Sequence, residues 1–350
     1  MSTQWFLDHA LTIETYWQDE AEKYQLTLTK PPGSLGRLES LAVQFSGFQQ
    51  TLKPAVESIH IAIMAGDHGI AEEGVSVFPQ AVTGEMIKNF ASGGAAIAVL
   101  AKYHGADLTV YNTGSVDALP PIDGVLDCRV AAGTSNFLTQ AAMTKNQCEQ
   151  ALAIGRRAIE KAANEKADLF VAGEMGIANT TSAACLVAKL LDQPAVVLAG
   201  PGTGLDIDGV SKKATVIEAV LTQHAADMDA FTILQTFGGF EIAALVGAYI
   251  HSAQQGLPAV VDGYIATAAA LIAVKINPSI QPWLLASHES AEPAHKLMLE
   301  ALGLEPLVKL DMRLGEGSGA AIVIPLIKQA CLLQANMATF AQAGVTDKVS

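Results

Sequence analysis

From residue 58 onward, this sequence alternates short apolar runs with longer Ala-rich stretches whose apolar side chains recur at helical spacing. The apolar runs have the length and the β-branched content that are typical of buried strands. Strands and helices that alternate along a chain predict an α/β fold, with a mainly parallel, doubly wound sheet flanked by helices. The predicted strands are 59–64, 108–111, 168–172, 195–198 and 259–261, and the predicted helices are 94–103, 147–163, 181–191, 211–224, 239–255 and 263–274.

The two ends of the chain show helical patterns without intervening strands. Residues 3–24 and 37–50 carry apolar side chains at helical spacing, and Pro31-Pro32-Gly33 separates them because these residues end helices. Residues 317–344 are again helical in pattern. The predicted units are a core α/β domain, 58–305, and a smaller, mainly helical domain formed by both chain ends, 1–57 plus 306–350.

Composition excludes several classes of function. The formal net charge of −14 disfavours binding to nucleic acid or to an anionic membrane, because both require a basic face. No apolar run reaches the roughly 18 residues of a membrane span, and no signal-peptide pattern is present, so we predict a cytoplasmic protein. The four cysteines form no Cys-x-x-Cys pair, so we expect neither disulfides nor structural zinc.

Three glycine-rich turns, 173–181, 200–206 and 313–320, mark a possible binding site. The first two follow predicted strands, and ligands bind at the carboxyl ends of strands in open α/β sheets. Glycines let a backbone approach a ligand closely, and the free N–H groups of helix starts bind anions. Glu316, between Gly315 and Gly317, is therefore a candidate general base beside an anion-binding turn. The alternative interpretation is an acidic first helical turn, which the helix dipole favours.

The turns match no nucleotide-binding fingerprint. Residues 200–206 open as Gly-x-Gly but lack the third glycine, and residues 173–181 lack the P-loop pattern. At this point a nicotinamide-dependent dehydrogenase and a non-catalytic nucleotide-binding module remain alternatives. The histidines of 288–295 are seven residues apart with Pro293 between them, so we predict no metal site. Asp67 ends the first core strand and is a candidate substrate contact.

Seven segments taken together resemble one family, the nicotinate-nucleotide–dimethylbenzimidazole phosphoribosyltransferases. The resemblance extends from about residue 30 to 340, and the order of the segments makes it specific. It implies a Rossmann-like core domain, a small domain made from both chain ends, a homodimer, and neither a metal nor another cofactor. The segments are 30–39 (KPPGSLGRLE), 65–69 (AGDHG), 74–83 (GVSVFPQAVT), 173–181 (GEMGIANTT), 238–241 (GGFE), 288–292 (HESAE) and 313–320 (RLGEGSGA).

The resemblance also implies a reaction and a set of site residues. Phosphoribose would pass from nicotinate mononucleotide to 5,6-dimethylbenzimidazole, giving nicotinate and α-ribazole 5′-phosphate, with Glu316 as the base. Phe78 and Met86 fall where the acceptor pocket is expected, and the family can carry polar residues at both places. Phenol, p-cresol or a purine therefore remain alternative acceptors. The expected substrate-binding residues are Phe78, Met86, Glu174, Gly176, Asn179, Thr180, Gly202, Thr203, Gly204, Lys213, Ser290, Arg313, Leu314, Gly315, Gly317, Ser318 and Gly319.

Overall fold

A six-stranded parallel sheet forms the centre of the molecule in the computed structural model, which describes residues 4–202 and 204–346. The strands are β1 (Ile59–Gly66), β2 (Asp107–Gly114), β3 (Val125–Asp127), β4 (Leu169–Met175), β5 (Ala259–Val261), β6 (Leu284–Ala286), β7 (His288–Glu289) and β8 (Val308–Lys309). The sheet order is β3-β2-β1-β4-β5-β6, and β7 pairs with β8 separately. The chain switches from one side of β1 to the other at β4, and such a switch point is where ligands bind in these folds.

Helices surround this sheet, so the predicted α/β class is confirmed. Three short 3₁₀ helices, Trp5–Leu7, Gly69–Glu73 and Pro278–Trp283, accompany them. The α-helices are α1 (Thr15–Gln25), α2 (Arg37–Gln49), α3 (Ala81–Ser92), α4 (Ala96–His104), α5 (Lys145–Asn164), α6 (Asn179–Leu191), α7 (Ala195–Leu198), α8 (Ile207–Gln223), α9 (Ala230–Phe237), α10 (Phe240–Gln254), α11 (Tyr264–Ile276), α12 (His295–Leu302), α13 (Ser318–Asn336) and α14 (Phe340–Ala343).

The central strands are apolar along their whole length because both of their faces are covered. Every residue of β1 is buried, and β4 is buried up to its last residue. Parallel strands inside α/β proteins have this continuous apolar composition. Helix α10 packs across β1, β2 and β4 and against α5. Two glycines permit that close contact, since a Cβ on Gly155 would lie 1.8 Å from the Ala244 carbonyl oxygen and one on Gly247 2.1 Å from that of Leu152.

One predicted strand is wrong. Residues 195–198 form the short helix α7, with Pro194 at its N-cap. Val196 is 77% exposed, so this run does not have the burial of a core strand. A proline at a helix start supplies a fixed φ that suits the first turn, and here it outweighs the β propensity of two valines. The glycine turn that follows therefore connects helices α7 and α8, and it does not follow a strand.

The helices near both ends of the chain pack together. The side chain of Gln334 on α13 donates to Ser46 Oγ on α2 and accepts from Gln25 Nε2 on α1. Leu28 and Thr339 form an isolated antiparallel bridge. Helix α13 also contacts α4 and β4 of the core, so the terminal helices are joined to the sheet. The division at residues 58 and 305 stays a prediction.

Among the described residues, α13 is the one helix that is long and apolar enough to cross a membrane. Its apolar window is 56% buried inside the protein, where it contacts α2, α4 and β4. These contacts are those of a core helix, so its composition is explained by packing. The four cysteines are free, as expected from their spacing.

Candidate active site

A cavity lies at the carboxyl end of the central sheet, beside β4 and β5. Its walls come from the loops that follow these strands, from Pro201, Gly202 and Leu205, and from the turn at residues 313–316. The segment 75–86 forms the remaining side. The position agrees with the binding edge expected for parallel sheets. The cavity therefore brings together chain segments that are more than 200 residues apart in sequence.

Most of the residues predicted from the sequence line this cavity. Those that line it are Phe78, Met86, Glu174, Gly176, Asn179, Thr180, Gly202, Ser290, Arg313, Leu314, Gly315 and Glu316. Gly204, Lys213, Gly317, Ser318 and Gly319 do not line it, although several touch residues that do. Thr203 lies outside the described residues. The functional role of each residue stays a prediction.

Glu316 occupies a backbone conformation that is rare for a residue with a side chain. Its φ is +62°, and the flanking Gly315 and Gly317 have φ values of +82° and +76°. Non-glycine residues in this left-handed region are strained, and such strain concentrates at functional sites. Gly173 on β4 makes room for the turn, because a Cβ there would lie 2.4 Å from the Glu316 carbonyl carbon. The turn therefore holds the Glu316 side chain in one place at the cavity wall.

The environment of Glu316 favours its neutral form. Burial raises the pKa of this carboxyl to about 7, and the nearby charge of Asp262 adds to the increase. Both effects act in the expected direction, because desolvation and a like charge each disfavour a carboxylate. A carboxyl group with a pKa near 7 accepts and releases protons readily at neutral pH. Glu316 thus has the protonation behaviour that a general base needs.

Asp262, which the sequence analysis missed, caps the helix that follows Glu316. Its carboxylate accepts hydrogen bonds from the backbone N–H groups of Gly317 at 3.0 Å and Ala320 at 2.8 Å. The Ser318 N–H is also occupied, by the Gly315 carbonyl. A protein carboxylate therefore binds the start of α13, and the expected substrate contacts of Gly317, Ser318 and Gly319 stay a prediction. Asp262 follows β5 directly, and that position was the available signal.

Glu174 is a second carboxyl group beside the same turn. It accepts a hydrogen bond from Asn179 Nδ2 and one from the Glu316 backbone N–H. Burial, together with the charges of Glu241 and Asp262, raises the pKa of Glu174 to about 8. At pH 7 the group is therefore mostly neutral, in contrast to the half-ionised Glu316. The two carboxyl groups can thus hold different protonation states in one site.

The start of α6 also lies at the cavity, where residues 176–180 line the wall. The N–H groups of Ile177, Asn179 and Thr181 donate to Thr83 Oγ1 and to the carbonyls of Gly176 and Ala178. Lys213 approaches from α8, where its Nζ donates to Thr180 Oγ1 at 2.8 Å and to the Gly200 carbonyl at 3.3 Å. Burial lowers the pKa of Lys213 to about 8, so it is mostly charged at pH 7. The positive end of a helix dipole next to a buried cation suits an anionic group.

The segment 75–86 supplies an apolar wall. Phe78 is 47% exposed at the cavity mouth, and Met86 lines the cavity while also packing against the core. Asp67 does not reach the cavity. Its carboxylate accepts from Thr83 Oγ1 at 2.6 Å and from the Val116 N–H at 2.8 Å, so its contacts are structural. The expected substrate contact of Asp67 therefore gains no support from the cavity lining and stays a prediction.

The cavity also contains residues to which the sequence analysis gave no role. Tyr264 and His288 line it, and so does Glu292, which belongs to a segment that carried the family resemblance. Ile177 and Ala178 complete the loop between β4 and α6. Tyr264, Ile177 and Ala178 follow predicted strands, and that position was the signal that could have found them. Within residues 4–202 and 204–346, no group of three or more His, Cys, Asp or Glu side chains is arranged to hold a metal ion.

The sequence model of a family described as phosphoribosyltransferase matches residues 12–345. The chain belongs to this phosphoribosyltransferase family. A relative from Pseudomonas aeruginosa strain LESB58, named nicotinate-nucleotide–dimethylbenzimidazole phosphoribosyltransferase, is 50% identical over 349 residues, which cover 99% of both chains. A relative of the same name from Azotobacter vinelandii strain DJ is 51% identical with the same coverage. The crystal structure of CobT from Thermus thermophilus matches with a TM-score of 0.92 and 40% identity over 95% of this chain and all of that one.

Membership of this phosphoribosyltransferase family confirms the predicted family, fold class and enzyme class. It also leaves the dehydrogenase and the non-catalytic binding module without support. The family match extends over nearly the whole chain, so it includes both ends as well as the sheet. The cavity at the end of β4 is thus the candidate active site of a phosphoribosyltransferase.

Proposed function

We propose that this chain transfers the phosphoribosyl group of nicotinate mononucleotide to 5,6-dimethylbenzimidazole, with Glu316 as the general base. The names of its relatives supply the two substrates. The observation that carries the proposed mechanism is Glu316 itself, a buried carboxyl at the cavity wall whose pKa is raised to about 7. No hydrogen-bond donor from the described residues is bound to its carboxylate. It is therefore free to accept a proton from a substrate.

The reaction needs one base and no acid. The bond between the anomeric carbon and the pyridinium nitrogen breaks, and its electron pair stays on nitrogen, so neutral pyridine nitrogen leaves. A benzimidazole nitrogen attacks the anomeric carbon from the opposite face, which converts the β-linked donor to an α-linked product. The proton on the other benzimidazole nitrogen passes to Glu316. One positioned base of this kind contributes roughly 10²–10⁴-fold to the rate.

The acidic character of the cavity suits a donor whose ring is cationic. Positive charge is carried by the pyridinium before bond cleavage, and it shifts toward the ribose as that bond breaks. Glu174, Glu292 and Glu316 all line the cavity, and Asp262 lies just behind it. An ionised carboxylate fixed near a developing positive charge stabilises the transition state more than water does, whereas Glu174, mostly neutral at pH 7, contributes little to this effect.

The phosphate of the donor requires a different environment, which the opposite wall provides. We place it at the start of α6, where the helix dipole is positive and Lys213 binds Thr180. Arg313 donates to the Gly202 carbonyl at 3.1 Å and lines the same part of the cavity. The acceptor ring then lies against Phe78 and Met86, whose aromatic face and flexible thioether pack well on planar rings. The predicted homodimer and cytoplasmic location stay part of this proposal.

Release of nicotinate from nicotinate mononucleotide, followed with a panel of acceptors, tests the proposal. The expected order is 5,6-dimethylbenzimidazole first, then benzimidazole and adenine, because each buried methyl group contributes roughly 0.8 kcal/mol. Phenol and p-cresol attack through oxygen and provide the comparison for the alternative acceptors. Faster release with a phenol than with any benzimidazole would contradict the proposed acceptor. No release with any acceptor would contradict the proposed reaction.

A further inference from the structure

Glu292 combines burial, a place at the cavity wall and an unused hydrogen-bond acceptor. The residue lies between β7 and α12, lines the cavity and is only 8% exposed. Its Oε1 is buried and has no hydrogen-bond partner among the described residues. A buried polar atom without a partner loses its hydration and gains nothing in return. Such an atom in a native protein calls for an explanation, and at a cavity wall a ligand can supply the missing bond.

The surrounding chain fixes the Glu292 side chain in place. Its backbone N–H donates to Ser290 Oγ at 3.3 Å, and its carboxylate accepts from the Gly202 backbone N–H. Gly200 packs directly on the other oxygen, since a Cβ there would lie 2.0 Å from Glu292 Oε2. One carboxylate oxygen is thus enclosed by the 200–202 turn. Only Oε1 is left for another partner.

No contact ion pair accounts for this carboxylate. Burial raises the pKa of Glu292, and the charges of Lys213 and Arg313 oppose this increase. Among the described residues, however, no cation lies within 4.0 Å of the Glu292 carboxylate. Lys213 binds Thr180 and the Gly200 carbonyl, and Arg313 binds the Gly202 carbonyl. The three groups therefore hold the same turn from different sides. Glu292 is not simply the buried counter-ion of either cation.

Only one kind of group on the proposed donor can donate a hydrogen bond to Glu292 Oε1. Nicotinate mononucleotide at neutral pH has hydrogen-bond donors only on its 2′- and 3′-hydroxyls, because its phosphate and carboxylate groups accept and its ring nitrogen carries no hydrogen. Glu174 already accepts two bonds, and Glu316 is assigned to the acceptor N–H. We propose that Glu292 is a specificity residue that accepts a hydrogen bond from one ribose hydroxyl of the donor. This inference rests on the proposed donor but not on Glu316 as the base.

Equilibrium binding of three donors in the absence of acceptor tests this role. Calorimetry would compare nicotinate mononucleotide with its 2′-deoxy and 3′-deoxy analogues, on the wild-type enzyme and on Glu292→Gln. A hydrogen bond to a charged group in a buried site corresponds to roughly a tenfold or larger change in affinity. We expect the wild type to bind one deoxy analogue about tenfold more weakly. In Glu292→Gln we expect the natural donor to weaken by a similar factor, with the sensitive deoxy analogue changed less than about threefold.

The matched control is Glu289→Gln, three residues away, whose carboxylate binds Lys309 at 2.6 Å and does not line the cavity. It should keep wild-type affinity for all three donors. Equal weakening of all three by Glu292→Gln would overturn the inference, because that pattern indicates an effect of charge or structure alone. If that variant does not fold, the wild type still decides. Equal wild-type affinities for all three donors would exclude a useful hydroxyl contact.

The same measurements separate this inference from the proposed function. Wild-type enzyme that binds nicotinate mononucleotide with hydroxyl selectivity, yet transfers nothing to 5,6-dimethylbenzimidazole, would support the Glu292 contact and contradict the acceptor. Wild-type enzyme that does not bind nicotinate mononucleotide would overturn both. Because binding is measured without an acceptor, the result does not depend on the identity of the base.

Discussion

Replacement of Glu316 by Gln should separate catalysis from folding. The amide keeps the size of the side chain in the strained turn between Gly315 and Gly317, but it cannot accept the acceptor's proton. We expect kcat for nicotinate release to fall by about 10²–10⁴-fold, which corresponds to roughly 3–5 kcal/mol of transition-state stabilisation. The KM for nicotinate mononucleotide should change little, because other residues are proposed to bind this donor.

The pH dependence gives the sharper form of this prediction. With its pKa raised to about 7, Glu316 is mostly protonated at pH 6 and mostly ionised at pH 8. The wild-type kcat/KM should therefore rise with pH, and it should be roughly tenfold lower at pH 6 than on the plateau above pH 8. Glu316→Gln should lose this rise. Any pH dependence that the variant retains belongs to the substrates and can be subtracted.

The thermal stability of Glu316→Gln provides an independent control, because it should stay the same or increase while the activity falls. The folded-state pKa of Glu316 lies above its ordinary value, so ionisation of this group costs stability as pH rises above that ordinary value. The neutral amide removes this cost, and at pH 8 the melting temperature of Glu316→Gln should equal or exceed that of the wild type. A variant that melts normally and also keeps near wild-type kcat would refute the assignment of Glu316 as base.

Three further predictions concern the neighbours of this base. Asp262→Asn should move the rise in kcat/KM to lower pH, because burial still raises the pKa of Glu316 but the added effect of the Asp262 charge is gone. Thermal unfolding should also show a loss of about 1 kcal/mol from the weaker cap of α13. An unchanged pH profile would contradict the coupling between Asp262 and Glu316. In the wild type, the KM for the donor should rise as pH increases through about 8, because Lys213 loses its charge there. Lys213→Met should have a higher KM that does not depend on pH in this range. A KM that still rises with pH in the variant would contradict the role of Lys213. Phe78→Ser should weaken 5,6-dimethylbenzimidazole more than benzimidazole, by a few-fold in KM, and equal effects on both would return Phe78 to a purely structural role.

The sequence predicted the centre of the fold better than its edges. Strands β1 and β4 were predictable because continuous burial makes them apolar along their length. The two-residue strands β7 and β8 carry too few side chains to form a pattern. The wrong strand at 195–198 failed for a different reason. Two adjacent valines favour a strand locally, but the segment begins after Pro194 as a short helix whose Val196 is exposed at the surface.

The candidate site was predictable where its chemistry is local in sequence. Glu316 was singled out because glycines flank it, and Glu174 through the family resemblance, in a glycine-rich turn that follows an apolar run. Asp262 was missed because its effect depends on contacts with Gly317 and Ala320, which lie more than 50 residues further along the chain. For the same reason, the sequence could not reveal that α13 begins with its N–H groups already occupied. Glycine content identified the turn, but only the tertiary contacts showed that a protein carboxylate binds the start of α13.

The arrangement around Asp262 links the stability of the fold to the protonation of the base. The same carboxylate that satisfies the N–H groups at the start of α13 also raises the pKa of Glu316, which lies one residue before the N-cap of that helix. A neutral cap such as Asn would preserve part of the helix start but would leave Glu316 more acidic and less able to take a proton at neutral pH. The negative charge of the cap thus makes ionisation of the buried Glu316 less favourable, and the higher pKa makes Glu316 a better base. This is the reason to expect that loss of charge at Asp262 shifts the pH profile, in addition to any effect on folding.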